Sequence, residues 1–492
     1  MHGEEVASYL QDAARTPGGH TPVVALPRDE AEVAAVLREA PAVVPVGAQS
    51  SLTGGATPFG EWVLSLARMD RIEAAGPDRV HTQAGVALST LEDHLRLQHL
   101  FYPPVPTFRG AFVGGVLATN AAGAATFKYG STRRWVKGLT VVLASGDILD
   151  LARGACVADG DGFFEIEGAD GRVFRVPIPT YRMPEVAKRS AGYHAAPGMD
   201  LVDLFVGSEG TLGVITEATL GLLPEPGRFL AWVSFAEEAR ALAAVARLRE
   251  VSGAGRGLEV AAIESLDRRC LELLREDGAD REHGVRLPDN AASTLLIEIE
   301  FPAAAGPSAA LEELSRLLEA EAALDPIEIA LPEERTRAEH LLALREAVPL
   351  AVNHRIAALQ QAGEPEVHKT AADMIVPFEH LPAMIARYRE GFSRRGLDHA
   401  LWGHVSDGNL HANAIPRSRR DVELGEEAIL EFGREVIRLG GCPLSEHGVG
   451  RSPVKQALLR ELYGERGIAE MRQVKAALDP KGKLSPGVLF PR

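Results

Sequence analysis

The sequence predicts an α+β protein of two unlike domains closed by a C-terminal segment, and three observations lead there. Residues 1–225 hold short β-type runs separated by glycine-rich loops. Residues 226–440 alternate strands with long Ala/Leu/Glu/Arg helices, and residues 441–492 combine a glycine-rich turn, a helix and a turn-rich close.

In the first domain the strand candidates are Val43–Val46, Trp62–Leu66, Val80–Ala84, Leu139–Leu143 and Gly213–Thr216, with helical patterns at Asp29–Arg38 and Leu88–Gln98. Such mixing indicates an α+β or α/β layer structure. Pro224-Glu-Pro-Gly227 marks a boundary. Beyond it, helices are expected at Glu237–Val251, Ser308–Ala322, Pro332–Ala357 and Phe378–Arg395. Strands Leu230–Ser234, Thr294–Glu300 and Asp373–Val376 fall between them, which predicts an α/β-layered domain with helices on one face of its sheet. A last helix, Ile468–Leu478, precedes the turn-rich Asp479–Gly487.

Charge and cysteines narrow the function. Lys and Arg total 52 against 68 Asp and Glu, so the net charge is −16 and opposes nucleic-acid phosphate and anionic lipid. Three isolated cysteines, Cys156, Cys270 and Cys442, argue against a disulfide framework or a thiolate zinc finger. The start, Met1–Val6, lacks a signal-peptide pattern. Ala111–Phe127 comes nearest to a membrane span, but Thr119 and Asn120 interrupt it and it reads as a loop system. The chain reads as cytoplasmic, with peripheral membrane attachment left open.

The most informative segment is Leu401–Asn413, which contains Ser406-Asp-Gly-Asn409 between two strand-like runs. Asp, Gly and Asn favour tight turns. If these four residues form the loop, Val405 faces Leu410 and His404 faces His411, with Asn413 on the same face. A carboxylate at Glu446 would complete a His/His/Glu set suited to zinc, or to Mn or Fe. Spacing alone leaves both a metal site and a pair of solvated histidines open.

Three glycine-rich loops lie beside strands in the first domain: Val44–Gly55, Gly114–Gly123 and Gly207–Ile215. None carries the P-loop or Rossmann fingerprint. Together they can turn successive backbone N–H groups toward a large phosphate-bearing cofactor.

These loops, with Lys128-Tyr-Gly130, resemble the flavin-binding domain of the vanillyl-alcohol-oxidase-type (PCMH-type) FAD enzymes. Gly403-His-x-x-Asp-Gly-Asn-x-His411 with Glu446-His-Gly-Val-Gly450 resembles the FAD-linked D-2-hydroxyacid dehydrogenases, which include D-lactate dehydrogenase, D-2-hydroxyglutarate dehydrogenase and the glycolate oxidase flavoprotein subunit. The resemblance implies a two-subdomain FAD-binding domain (1–225), an α/β cap domain with an antiparallel sheet covered by helices (226–440), and a C-terminal segment (441–492) that completes the active site. It implies FAD contacts from Pro45, Gly47, Ala48, Gln49, Ser50, Ser51 and Gly54 in the first loop. The second loop would supply Gly114, Gly115, Thr119, Asn120, Gly123, Tyr129 and Gly130, and the third Glu209, Gly210, Gly213, Val214 and Ile215. His404, His411 and Glu446 would bind a divalent metal, zinc by ligand type with Mn or Fe as alternatives, and Asn413 would be a neighbouring polar contact. His447 would be the base and Arg345 the clamp on the substrate carboxylate, a task for which the guanidinium fork is shaped. Lys369 and Arg337 are candidate readers of the substrate side chain. No histidine stands in the first loop, so the FAD is expected to be non-covalent.

The implied reaction is oxidation of a small D-2-hydroxy acid by hydride transfer to flavin N5. The electrons would pass to a quinone, a cytochrome or an electron-transfer flavoprotein, and a homodimer is compatible. Two alternatives share the scaffold: a non-redox flavin transferase of the alkylglycerone-phosphate synthase type, and a non-catalytic flavin-binding subunit.

Overall fold

The computed structural model describes residues 4–73, 76–104, 106, 108–168, 171, 173–253 and 258–491. Residues 1–3, part of the chain start discussed above, lie outside the described residues. The chain divides into two compact units: Met1–Gly123, Gly130–Pro224 and Leu444–Arg492 form the first, and Ala124–Tyr129 with Glu225–Pro443 form the second.

The first unit holds two main sheets. Val24–Ala25, Trp62–Ser65 and Val43–Val46 form a parallel sheet with Trp62–Ser65 in the centre. Parallel neighbours need a crossover, and helix Glu30–Glu39 provides one. Asp29 caps it through the Glu32 amide at 2.9 Å, and Val33, Ala34 and Leu37 pack on Val43, Leu64 and Leu66. The second sheet is antiparallel, in the order Arg79–Gln83, Val214–Gly221, Val136–Val142, Ile148–Ala152.

Two expectations for this unit need correction. Ala111–Phe127 is not all loop, because Val113–Ala118 is a short helix. Among the described residues no helix is long and apolar enough to cross a membrane. The C-terminal helix starts at Pro453, capped by Ser452, and reaches Leu478 with a break at Gly464, where φ is 67°. That left-handed residue ends one helical pattern and restarts another, so sequence periodicity exposes only the later part.

The second unit is built on one antiparallel sheet. Its order is Leu324–Ala330, Gly227–Phe235, Ser293–Phe301, Glu259–Asp267, His399–His404, Asn409–Ala414, Thr370–Ala371, and Met374–Ile375 also pairs with Asn409–Ala414. Helices cover both faces, not one as expected. Leu230, Trp232, Leu266, Leu296, Ala400 and Trp402 pack with Arg268–Asp277 and Arg335–Gln361. On the opposite face Leu295, Leu401 and Leu410 meet Glu238–Val251 and Leu381–Ser393.

The hairpin register also differs from expectation. His404 pairs with Asn409, Gly403 with Leu410, and Trp402 with His411. The loop is therefore Val405–Gly408, closed by Gly408 at φ 86° and by Asp407, whose side chain accepts the Asn409 amide at 3.2 Å. A slip of two residues preserves the side-chain alternation, so both imidazoles still share a face.

Gly408 is the tightest point of that turn, since an added Cβ would sit 2.3 Å from the Val376 carbonyl oxygen. Gly408→Ala is expected to cost at least ~2 kcal/mol, from the left-handed backbone and the clash together. Urea denaturation of both proteins checks this; an unchanged midpoint contradicts the turn.

Candidate active site

In the second unit the strand pairing assembles a polar row on the face that also carries Trp402. Register sets Glu264 directly opposite His404, which is itself opposite Asn409. The His404 Nδ1–H donates to Glu264 Oε1 at 2.5 Å, and both side chains are buried. In that tautomer the ring's lone pair is on Nε2, the atom through which His404 would bind a metal. The His404 and His411 rings lie 5.4 Å apart, nearly perpendicular at 85°. Asp373 Oδ1 stands 3.9 Å behind His411 Nδ1. A carboxylate behind each imidazole is the usual outer support of metal-ligating histidines. Asn413 donates its amide to the His411 carbonyl at 2.9 Å, while its Oδ1 is buried with no protein partner. An orphaned acceptor beside two imidazoles, one of them held by a carboxylate, fits a bound cation and its polar ligand.

Arg345 is not a solvated helix-face charge: its Nε donates to Glu264 Oε2 at 3.1 Å, and only 11% of its side chain is exposed. Lys369 is half-buried, with Nζ 5.7 Å from the Trp402 ring. Burial, then the Arg345 charge, pushes its ammonium down to about 8. Arg337 pairs with Glu328 and donates to the carbonyls of His283 and Gly284. Sequence reasoning missed Glu264 and Asp373. A usable signal existed for Glu264, a lone acid in the apolar run Val260-Ala-Ala-Ile-Glu-Ser-Leu266.

In the first unit the three glycine-rich loops line one cavity of about 310 Å³. Pro45, Gly47, Ala48, Gln49, Ser50 and Ser51 form one wall, Gly114, Gly115 and Thr119 another, and Glu209, Gly210, Gly213, Val214 and Ile215 a third. Glu446 and His447 also reach it. Five expected contacts are not on the described walls. Gly54, at φ 73°, turns toward Thr16. Asn120 accepts the Arg133 amide at 3.0 Å. Tyr129 belongs to the second unit and donates to Glu300, with Gly130 turning the chain after it at φ 76°, and Gly123 is likewise absent from the lining.

The cavity fits a large flavin nucleotide in one specific way. A Cβ built on Gly115 would meet nothing within 4 Å, whereas one on Gly114 would sit 2.7 Å from the Ala84 Cβ. One glycine permits close packing; its neighbour leaves room for a ligand. Two anchors hold the segment after Glu446. Glu209 accepts the Val449 and Gly450 amides at 2.9 and 2.8 Å, and burial pushes its carboxyl up to about 7 despite these donors. Lys188, fully buried, pairs with Glu446 at 2.6 Å.

Known proteins resemble this chain over nearly its whole length. Residues 226–489 match the family described as FAD linked oxidases, C-terminal domain, and residues 21–152 match the FAD binding domain. The chain is 30% identical to D-2-hydroxyglutarate dehydrogenase of Xanthomonas citri pv. viticola, over 99% of this chain and 93% of that protein. It is 29% identical to glycolate oxidase subunit GlcD of Bacillus subtilis (98% and 92%) and to D-lactate dehydrogenase of Archaeoglobus fulgidus (94% and 90%). A solved structure of alkyldihydroxyacetonephosphate synthase aligns with TM-score 0.60 at 18% identity, over 94% of this chain and 75% of that one, which shows a shared fold.

Gly115→Leu tests the cavity. The open space beside Gly115 predicts that the variant folds with unchanged or slightly raised stability, because glycine costs a helix about 1 kcal/mol. Its FAD affinity is expected to fall at least about tenfold, equivalent to ~1.4 kcal/mol. Flavin absorbance per protein after gel filtration reads the outcome; full retention contradicts the assignment.

Proposed function

The chain belongs to the FAD-linked oxidase family, and from that premise we propose that it oxidises a small D-2-hydroxy acid, lactate-like or glycolate-like, to the 2-oxo acid. The observation that carries this reading is the pair of facing imidazoles, each with a carboxylate behind it, beside the orphaned Asn413 acceptor. His404, His411 and Glu446 are the proposed ligands of a divalent cation, zinc by the character of the set, with Mn or Fe as alternatives. When bound, FAD supplies the two-electron acceptor and the cation a Lewis acid for the substrate hydroxyl and carboxylate oxygens.

The side chains divide the remaining work. Arg345 has its Nε committed to Glu264, and its terminal nitrogens are the proposed clamp on the substrate carboxylate. Asn413 is the proposed neighbouring polar contact, its Oδ1 the buried acceptor without a protein donor. His447, as a neutral imidazole, takes the hydroxyl proton while Cα gives up its hydride. Fixing the acid at its carboxylate and hydroxyl leaves only the Cα–H direction to be set, which the binding site supplies as orientation. Lys369 adds positive charge for an anionic substrate, and more for one with a second carboxylate.

Mixing the purified flavoprotein with D-lactate, glycolate and D-2-hydroxyglutarate without oxygen tests the proposal: at least one acid should bleach the flavin absorbance. His447→Asn should slow that bleaching by about 10²–10⁴-fold, the usual worth of a positioned base. No bleaching by any hydroxy acid refutes the reading, and an unchanged rate in the variant removes His447 as the base.

The charge on Lys369 gives a pH dependence. Its proton is lost as pH rises through about 8, so the affinity for the anionic acid should fall above that pH and level out below it. In Lys369→Met this limb should vanish, leaving a weaker, flatter profile. The Kd from anaerobic flavin reduction at pH 6–10 reads both; an identical limb in the variant assigns the titration elsewhere.

A further inference from the structure

One carboxylate in the second unit serves two donors of different proposed function. Glu264 is 7% exposed and sits on strand Glu259–Asp267, directly opposite His404. Its Oε1 takes the His404 Nδ1–H at 2.5 Å, and its Oε2 takes the Arg345 Nε–H at 3.1 Å. The two oxygens are thus divided, one to the imidazole and one to the guanidinium. We infer that Glu264 is a positioning residue that jointly sets the metal-binding imidazole and the carboxylate-binding arginine, so that cation and hydroxy acid depend on one side chain. The inference rests on the function proposed above.

Three physical points support it. An imidazole donating from Nδ1 is held in the tautomer whose Nε2 lone pair is free for a metal, and its ring cannot flip without losing that bond. An arginine held at Nε points its two terminal nitrogens away as a fixed fork, the geometry that pairs with a carboxylate. Strand register supplies the precision: Glu264 and His404 are cross-strand neighbours on the pleat, so their contact follows from backbone pairing and does not depend on a flexible loop. Arg345 reaches the same carboxylate from helix Arg335–Gln361, whose Leu341, Leu344 and Val348 are buried in the core beside it.

Glu264→Gln is the informative change. Glutamine keeps the shape but is neutral and offers one acceptor oxygen in place of two, so one donor meets an N–H and the other keeps only an uncharged acceptor, and both contacts weaken. In FAD-loaded protein stripped of metal, Zn²⁺ affinity by calorimetric titration is expected to fall about 10–100-fold. The Kd for whichever of D-lactate, glycolate or D-2-hydroxyglutarate bleaches the wild-type flavin should rise in the same variant, with flavin content and melting temperature retained. Arg345→Met, which leaves the His404 contact in place, should weaken the acid but hold Zn²⁺ affinity within about threefold. Should Glu264→Gln not fold, Glu264→Asp, with both oxygens withdrawn by one methylene, carries the same expectation. Unchanged Zn²⁺ affinity or unchanged acid Kd in the Glu264 variant overturns the shared-carboxylate role. A wild-type protein that takes up no Zn²⁺ is a different failure: it removes the proposed metal centre, and this inference falls with it.

Discussion

The candidate site of the second unit depends on the alternation of side chains along paired antiparallel strands. Glu264 meets His404 because strand Glu259–Asp267 pairs with His399–His404 in one register. His411 joins that face because Trp402, two residues from His404, is its cross-strand partner. A shift of one residue in either pairing would turn an imidazole to the opposite face, away from the carboxylates. The register is itself held by burial, since Leu266, Ala400 and Trp402 occupy the same core as helices Arg268–Asp277 and Arg335–Gln361. Packing therefore decides the chemistry: the apolar residues that specify the register also aim the polar ones between them.

The first unit solves a different problem, which is to surround a large ligand with backbone. Its loops use glycine for two opposed purposes. At Gly114, in helix Val113–Ala118, and at Gly213 the missing side chain lets neighbouring segments approach, since added Cβ atoms would lie 2.7 Å from Ala84 and 2.4 Å from Val141. At Gly115 it leaves space open. A sequence shows both kinds as the same letter. Only the neighbour across the sheet tells them apart, and that neighbour is distant in the chain.

That distinction explains what was legible in the sequence. Strand Val43–Val46, helix Glu238–Val251 and the His404/His411 face follow from local periodicity and turn chemistry, and the α+β class with its FAD-binding and cap domains follows from these with the motifs. The hairpin register was misjudged by two residues, because Asp407 and Gly408 close the turn earlier than Ser406-Asp-Gly-Asn409 suggests. Alternation by twos made that error harmless to the face. Glu264, Asp373 and Lys188 stayed hidden for another reason: each acts through a partner dozens to hundreds of residues away, and strand or loop pairing at that range leaves no local pattern. Tyr129 falls in the second unit, where its hydroxyl donates to Glu300 on a distant strand.

The segment carrying Glu446 and His447 shows why such long-range partners matter. It has no regular secondary structure, yet it is fastened on both sides by the backbone of the first unit. Before it, the Ser190 amide is shared between the carbonyls of Leu444 and Ser445, each at 3.1 Å. After it, Glu209 gathers two amides, the Arg451 amide donates to the Thr53 carbonyl at 2.9 Å, and the Gly450 carbonyl accepts from Leu489 at 3.0 Å. Gly450 could not be replaced there, since its Cβ would fall 2.1 Å from Thr53 Oγ1 at φ 57°. The buried pair of Lys188 with Glu446 fits this arrangement better than a role in stability, because withdrawing two charges from water commonly cancels their attraction. A loop held by main-chain bonds keeps its shape whatever its exposed side chains do. Glu446 and His447 are thus presented to the cavity by main-chain bonds on either side of them together with the Lys188 pair, which is the condition for using an irregular segment where orientation matters.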